Sequence, residues 1–493
     1  MIILMLTEKC RLLIIEEDAS AFGLRLLKKG VESGAIVIKV DNKELVRIEC
    51  HKKKKPVCSG RYRLHEAPGF GGAQSPAGFG NSYMKFLTFE TIMLPMTKKD
   101  RHLNSDIPED VLQKILCRLP IKSLIRLSCV SKRWQSIILS DPELGKAHLK
   151  LATERRTITR RLILSVVPYQ FKSLGDSFGY QSPVRNLTIS SGENEKLVIS
   201  SCNGLVAVGN IFNGWSIWNP STGFERKLPL LDYSLVMKKA RSGEEYDSDN
   251  IVLDGFGYVS STDDYKLVLV PFPDDSGSRV VNVFIFSVRE NSWKLRQASR
   301  WPLDSYSPTT SSGTLSNEAI HWINHYTERN NNIEGNNIEV CAFDLENEKL
   351  RKVPGPSFKR VHRGFNRRMK TVVHAGGCLC VWSETYDVEG RPGGNIELWM
   401  MRDYGVSNSW KKLCKLQKKD LHDVLDPVRF WEPSFVSENG EIVILLDNKE
   451  LVRIKWLKRK RAVFRGRYRL KKALECKLLG ATLYDETVVS LAE

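Results

Sequence analysis

Two hydrophobic periodicities divide the chain. Between residues 105 and 150 apolar positions recur at helical spacing, and Val111, Leu112, Ile115, Leu116 and Leu119 share one face of a first helix. That helix opens near Pro108, carries Glu109 and Asp110 at its positive N-terminus, and ends at Pro120. A second helix carries Leu124, Leu127 and Val130. A third follows Ser131 as its cap, buries Trp134, Ile137 and Ile138, and stops at Asp141-Pro142. Three helices of this size have more apolar surface than their own core hides, and the surplus points to a partner.

From residue 157 to the end the pattern changes to short alternating runs separated by Gly, Asn, Asp, Pro and Ser, the mark of many antiparallel strands. Hairpin phrases recur in pairs at a period of about 55 residues. SCNGLVAV precedes WSIWNPSTGFERKLP, GFGYVSSTDDYKLVLV precedes NVFIFSVRENSWKLR, and SSGTLSNEAIHWI precedes EVCAFDLENEKLRKVP. HAGGCLCVW then leads to IELWMMRDYGVSNSWKKL, and FVSENGEIVILL to LVRIKWLKRKRAVF. A repeating four-stranded unit cannot cover both of its faces, so the expected architecture is α+β and multidomain: a small three-helix module followed by an all-β, propeller-like repeat domain of five or six blades. Asn219 to Gly223 and Glu346 to Glu348 read as tight turns, and Trp218, Phe286, Phe343 and Trp399 as the core between blades.

One longer repeat has a different character. Residues 32 to 64 return as residues 438 to 470 without a gap, with about two-thirds of positions identical, so the segment 1–65 is read as an extension duplicating the C-terminal segment. Its alternating Ile36, Ile38 and Val40 need a sheet partner, because a lone hairpin is marginal in water. Residues 66–104, rich in Gly, Pro, Ser and Ala up to residue 86, read as a linker; their G-F-G elements lack the strand, helix and G-K-[ST] ending of a phosphate loop.

Composition narrows the function classes. The 493 residues carry a formal charge of +18 with 42% hydrophobic positions, a globular composition with no apolar run of membrane-spanning length. An intracellular, cytoplasmic or nuclear protein is expected, with no membrane partner. The eleven cysteines are scattered without a C-x-x-C pair, and Cys378 and Cys380 alternate as strand residues do, so reduced and mostly buried thiols are expected. The densest basic stretch, residues 458 to 472, reads as a solvated edge, and nucleic acid is disfavoured as a partner. His321 and His325 lie on a strand pattern rather than a helix and lack the Glu of a zinc-protease motif; Asp263 and Asp264 suit a turn. No catalytic residue, metal or cofactor is expected.

The helical segment carries I-P-E-D-V-L-x-x-I-L-x-R-L-P-x-K-S-L-x-R-L-x-C-V-S-K-R-W and resembles an F-box of the plant type. The β region resembles the F-box associated domain, kin to kelch-type propellers, through Ser201 to Leu205, Trp218 to Thr222, Gly255 to Lys266, Leu315 to Trp322 and Trp399 to Trp410. The resemblance implies boundaries of 105–150 for the F-box and 157–493 for the associated domain. It implies docking on a Skp-type adaptor and, through it, a cullin, with an unknown target protein held by the β domain for ubiquitination. The positions matching the adaptor-binding motif are Ile107, Pro108, Val111, Leu112, Ile115, Leu116, Leu119, Pro120, Ser123, Leu124, Leu127, Val130 and Trp134, some of which must also hold the helices together. The alternatives are a basic nucleic-acid or chromatin-binding protein and a glycan-binding propeller, since fold alone does not choose.

Overall fold

The computed structural model describes residues 109–167, 170–179, 182–190, 197–210, 213–231, 252–271, 280–299, 312–328, 335–357, 365–374, 376–387, 392–417, 431–457, 461–469 and 477–491, with five strands ahead of them. The expected linker, together with Ile107 and Pro108, lies outside the described residues. Two compact units divide the chain, Met1–Ile138 and Leu139–Glu493.

In the first unit, β1 (Ile3–Thr7), β2 (Arg11–Ile15), β3 (Ala35–Asp41), β4 (Glu44–Glu49) and β5 (Val57–Arg63) form one antiparallel sheet in the order β2-β1-β3-β4-β5. The repeated hairpin is therefore not alone, because β1 supplies its sheet partner. The same unit holds α1 (Glu109–Leu116), α2 (Ile121–Leu127) and α3 (Lys132–Leu139) up to the unit boundary.

The third helix ends at Leu139, just ahead of the expected stop at Asp141-Pro142, and the second unit opens with a fourth helix beyond the three that the apolar spacing predicts. Asp141 both follows the end of α3 and caps the next helix: its carboxylate accepts from the backbone N–H of Glu143 at 2.9 Å and Leu144 at 3.5 Å, and Pro142 takes the first position of α4 (Pro142–Glu154). The strands follow as β6 (Arg160–Val166), β7 (Gln170–Gly175) and β8 (Arg185–Leu187), then β9 (Leu197–Cys202), β10 (Leu205–Asn210), β11 (Gly214–Trp218) and β12 (Glu225–Lys227). Next come β13 (Val252–Val259), β14 (Asp264–Pro271), β15 (Val280–Ser287) and β16 (Ser292–Ser299), then β17 (Thr314–Ser316), β18 (Ala319–Glu328), β19 (Gly335–Asp344) and β20 (Lys349–Val353). The last are β21 (Phe365–His374), β22 (Leu379–Asp387), β23 (Pro392–Met401), β24 (Trp410–Gln417), β25 (Trp431–Val436), β26 (Glu441–Leu446), β27 (Glu450–Leu457), β28 (Arg461–Arg469) and β29 (Leu478–Asp485).

These strands make a six-bladed propeller. Blades two to six each take four consecutive strands, with blades five and six joined by a short parallel contact between β21 and β25. Blade one has the order β29-β6-β7-β8, so its inner strand comes from the far end of the chain. Six buried apolar clusters fill the six gaps between successive blades, including the one between blades six and one, where Phe435, Val443 and Leu451 meet Leu162, Leu164 and Phe178. Each sheet thus hides both faces against its neighbours, which a single four-stranded sheet cannot do.

Of the four aromatics expected between blades, Trp218, Phe286 and Phe343 are fully buried. Trp399 is not. A register shift between Leu398 and Trp399 in the β23–β24 pairing turns the core position over to Leu398 and Met401, and Trp399 is left half-buried under the Lys412 ammonium, 4.6 Å from its ring centre.

The front sheet repeats blade six down to its irregularity. Ile36↔Ile48, Val37↔Arg47 and Ile38↔Val46 correspond to Ile442↔Ile454, Val443↔Arg453 and Ile444↔Val452. The bulge between Arg47 and Ile48 recurs between Arg453 and Ile454. Even β1 stands beside β3 where β25 stands beside β26. Two core positions differ: Val40 stands in the place of Leu446, a conservative change, and Lys39 in the place of Leu445, which is 2% exposed in the propeller. A lysine there would be desolvated, so closing the ring favours the C-terminal copy.

Candidate functional site

The helical module is built by its own caps and core. Pro120, extended, precedes α2 and its carbonyl accepts from the Ser123 N–H. The Ser131 hydroxyl accepts from the Trp134 N–H at 3.2 Å, as its cap role required. Among the positions expected to meet an adaptor, Leu112, Leu116, Leu119, Ser123, Leu124, Leu127 and Trp134 are buried within this chain, Leu116 and Leu124 completely. Ile115 and Val130 are half-buried and Pro120 is exposed. Ile107 and Pro108 fall outside the described residues, as does the side chain of Val111. Amphipathic spacing identified the apolar face but not how much of it the chain keeps for itself, since both uses have one period.

On the propeller, the recurrent phrases turn out to be joints. Asn203 and Gly204 of SCNGL both have positive φ, and any Cβ on Gly204 would run into the Thr487 side chain. Asn219 of WNPST is fully buried, and its side-chain amide donates to the carbonyls of Thr487 at 3.1 Å and Val489 at 2.8 Å while its oxygen accepts from the Ser221 N–H. In the TDDYK phrase, Asp264 accepts from the Ser287 hydroxyl at 2.6 Å and the Arg289 N–H at 2.9 Å. Lys266 reaches into the next blade, donating to the Leu345 carbonyl and pairing with Glu348 at 3.0 Å. Burial alone would raise the Glu348 carboxyl, but hydrogen bonds from Lys266 and Arg296 outweigh it and hold the group below the usual carboxylate range.

Asp263 serves the helix that opens this unit. Its carboxylate accepts from Lys146 of α4 at 2.5 Å and from the Tyr258 hydroxyl at 2.7 Å; the Lys146 bond lowers the Asp263 pKa and raises that of Lys146. Leu149 packs on the core between blades two and three, and Gly145 lies so close to the Val489 backbone that an added Cβ would come within 2.9 Å. Helix α4 is thereby fastened to the propeller at three places.

His321 is wholly buried. Its Nδ1–H donates to the Thr314 carbonyl at 3.1 Å, which leaves Nε2 to accept from the Tyr404 hydroxyl at 2.7 Å, and Arg351 donates to the same Tyr404 oxygen at 2.6 Å. Burial, with the Arg351 charge nearby, pushes the imidazole down to about 4. A histidine kept neutral in the fold stabilises above its unfolded pKa, and this contribution is lost as pH falls from about 6.5 towards about 4. Acidification from about pH 7 to about pH 5 is expected to remove about 2 kcal/mol through this residue. Urea unfolding at both pH values should show that loss in the natural chain and a correspondingly smaller one in His321→Gln; equal losses would reject the assignment.

Among the described residues no three His, Cys, Asp or Glu side chains group as a metal-ligand set. Cys380 sits in the core between blades five and six, where burial raises its thiol pKa, and Cys378 is partly exposed. No helix among the described residues is long and apolar enough to cross a membrane.

The chain is thus a two-part protein, a short helical module followed in sequence by a six-bladed propeller. Residues 104–144 match the F-box domain and residues 161–472 match the F-box associated beta propeller domain. The chain belongs to the family of F-box proteins with an F-box associated β-propeller domain, a family of non-catalytic adaptors. It is 28% identical to F-box protein CPR1 of Arabidopsis thaliana over 360 residues, covering 70% of this chain and 81% of that protein. It is 25% identical to the F-box/kelch-repeat protein At3g23880 of Arabidopsis thaliana, over 71% of this chain and 88% of the relative. F-box protein At3g07870 of Arabidopsis thaliana is 25% identical over 395 residues, 70% of this chain and 82% of the relative.

Proposed function

We propose that this protein is the substrate-recognition subunit of a Skp-cullin-F-box ubiquitin ligase. The F-box docks on a Skp-type adaptor, and the propeller holds a target protein whose lysines are thereby brought near the charged ubiquitin thioester. The observation that carries this reading is the pairing in one chain of an F-box match with a complete propeller behind it. Tethering contributes effective concentration: an intermolecular encounter becomes an intramolecular one, while the bond chemistry takes place on other subunits.

The test uses the apolar positions that keep exposed surface. Ile115→Asp combined with Val130→Asp places carboxylates at two half-buried positions without emptying the helical core. Loss of at least about tenfold in adaptor affinity is expected in co-purification and titration, because unpaired charge would be buried at the contact. Full adaptor binding by a folded double variant would reject the docking model.

A further inference from the structure

The charge of the propeller is sorted by strand position. The outermost strands β8, β12, β16, β20, β24 and β28 carry one, two, two, three, three and four basic residues, fifteen in all, against the single carboxylate of Glu225. The three inner strands of the blades carry nine basic and twelve acidic residues. Charged edges guard a sheet against pairing with another, but that protection works with either sign and does not account for one sign throughout. Several of these cations are answered by carboxylates of the propeller itself, as in Arg296–Glu348, Lys412–Glu397 and Arg467–Glu450.

The end of the series is β28. It is the longest outer strand and ends its sheet, so among the described residues no strand lies on its outer side. Arg465 and Arg469 are exposed, and Phe464 beside them is 44% exposed. In sequence the strand is flanked by Lys458-Arg459-Lys460 and Lys471-Lys472. An edge strand offers both N–H donors and C=O acceptors, and a peptide backbone matches both, whereas a phosphodiester chain brings chiefly acceptors. A second copy of β28 would set arginines against arginines across the new ladder, which is unfavourable. The front copy keeps Gly60-Arg61-Tyr62-Arg63 on β5 but has Cys58 and Ser59 where β28 has Phe464 and Arg465, so the complete set occurs on β28.

We propose that the outer edge of β28 is where the recruited protein docks, taking an extended acidic peptide as a fifth strand of blade six. This rests on the recruiter reading above and specifies the chemistry of its target. Backbone pairing along the strand supplies the register, Arg465, the extra residue of the bulge, and Arg469 at the strand's end select carboxylates, and Phe464 next to Arg465 covers an apolar residue at that end of the peptide.

The experiment titrates the full chain, without adaptor, into a fluorescein-labelled decapeptide of alternating Glu and Val, its alternately N-methylated form, and a ten-nucleotide oligouridylate. The acidic peptide is expected to bind, with affinity falling at least about tenfold in the Arg465→Glu, Arg469→Glu variant and by a similar factor on N-methylation, because one change reverses the charge and the other removes the ladder. Equal binding of the N-methylated peptide would overturn strand addition, and binding of the oligouridylate without the peptide would overturn the choice of partner. The N-methylated arm uses the natural chain and so does not depend on how the variant folds. Because no adaptor is present, failure here is separate from failure of the co-purification test.

Discussion

Asn219→Leu is expected to lower propeller stability by about 3–5 kcal/mol, since it removes three side-chain hydrogen bonds at a buried site and strands the Thr487 and Val489 carbonyls and the Ser221 N–H. The residue is a clamp more than a turn former. Its own backbone N–H donates to the Phe224 carbonyl and its carbonyl accepts from the Gly223 N–H, so the turn has backbone bonds of its own. The side chain is therefore free to grip the C-terminal tail, which also meets blade one where the Glu486 N–H donates to the Thr159 carbonyl. Asn219→Asp is the sharper variant: it retains an acceptor for Ser221 but sets a carboxylate against two carbonyls, so it should be at least as damaging at neutral pH and partly recover when acid protonates it into a donor. Thermal and urea unfolding measure both. A loss below about 1 kcal/mol would mean that the tail is held by other contacts.

Leu124→Asp is expected to unfold α1–α3 while the propeller keeps its own transition. Leu124 is fully buried at the centre of the helical module, and a carboxylate there must either lose its hydration or break the packing, at a cost of about 4 kcal/mol or more. Hydrogen exchange should show lost protection across residues 109–138 and retained protection in the strands from β6 onward. Adaptor binding would disappear too, but through loss of the fold, which is why the docking test relies on Ile115 and Val130. An unchanged helical exchange pattern would show that the core assignment of Leu124 is wrong.

Features written in short windows were legible before the structure. The Ser131 cap, the Asn219 to Gly223 turn and the pairing of hairpin phrases all depend on residues within a few positions of each other. Five of the six blades follow from those phrases. Blade one does not, because its strands are joined by pairing between the two ends of the β region, and neither β6 nor β29 carries half of a recognisable phrase. Asp141-Pro142 marks the end of α3 as expected, while the start of α4 at the same dipeptide was not legible, because one pair of residues serves both as a stop and as the cap and first turn of the next helix. At the candidate docking site, the pattern of Leu112, Leu116 and Leu124 marked an apolar face, but whether such a face is kept or offered depends on the packing of the three helices together.

The pairing of β29 with β6 also sets a timetable for biosynthesis. The Ser173 and Tyr484 hydroxyls, bonded at 2.9 Å in blade one, lie 311 positions apart, so at about 5–20 residues per second the ribosome needs roughly 15–60 s to supply the second after the first. During that interval the blades already made can pack on one another, but blade one lacks its inner strand and the ring stays open. Synthesis of β29 therefore sets the moment at which blade one can be completed and the ring closed.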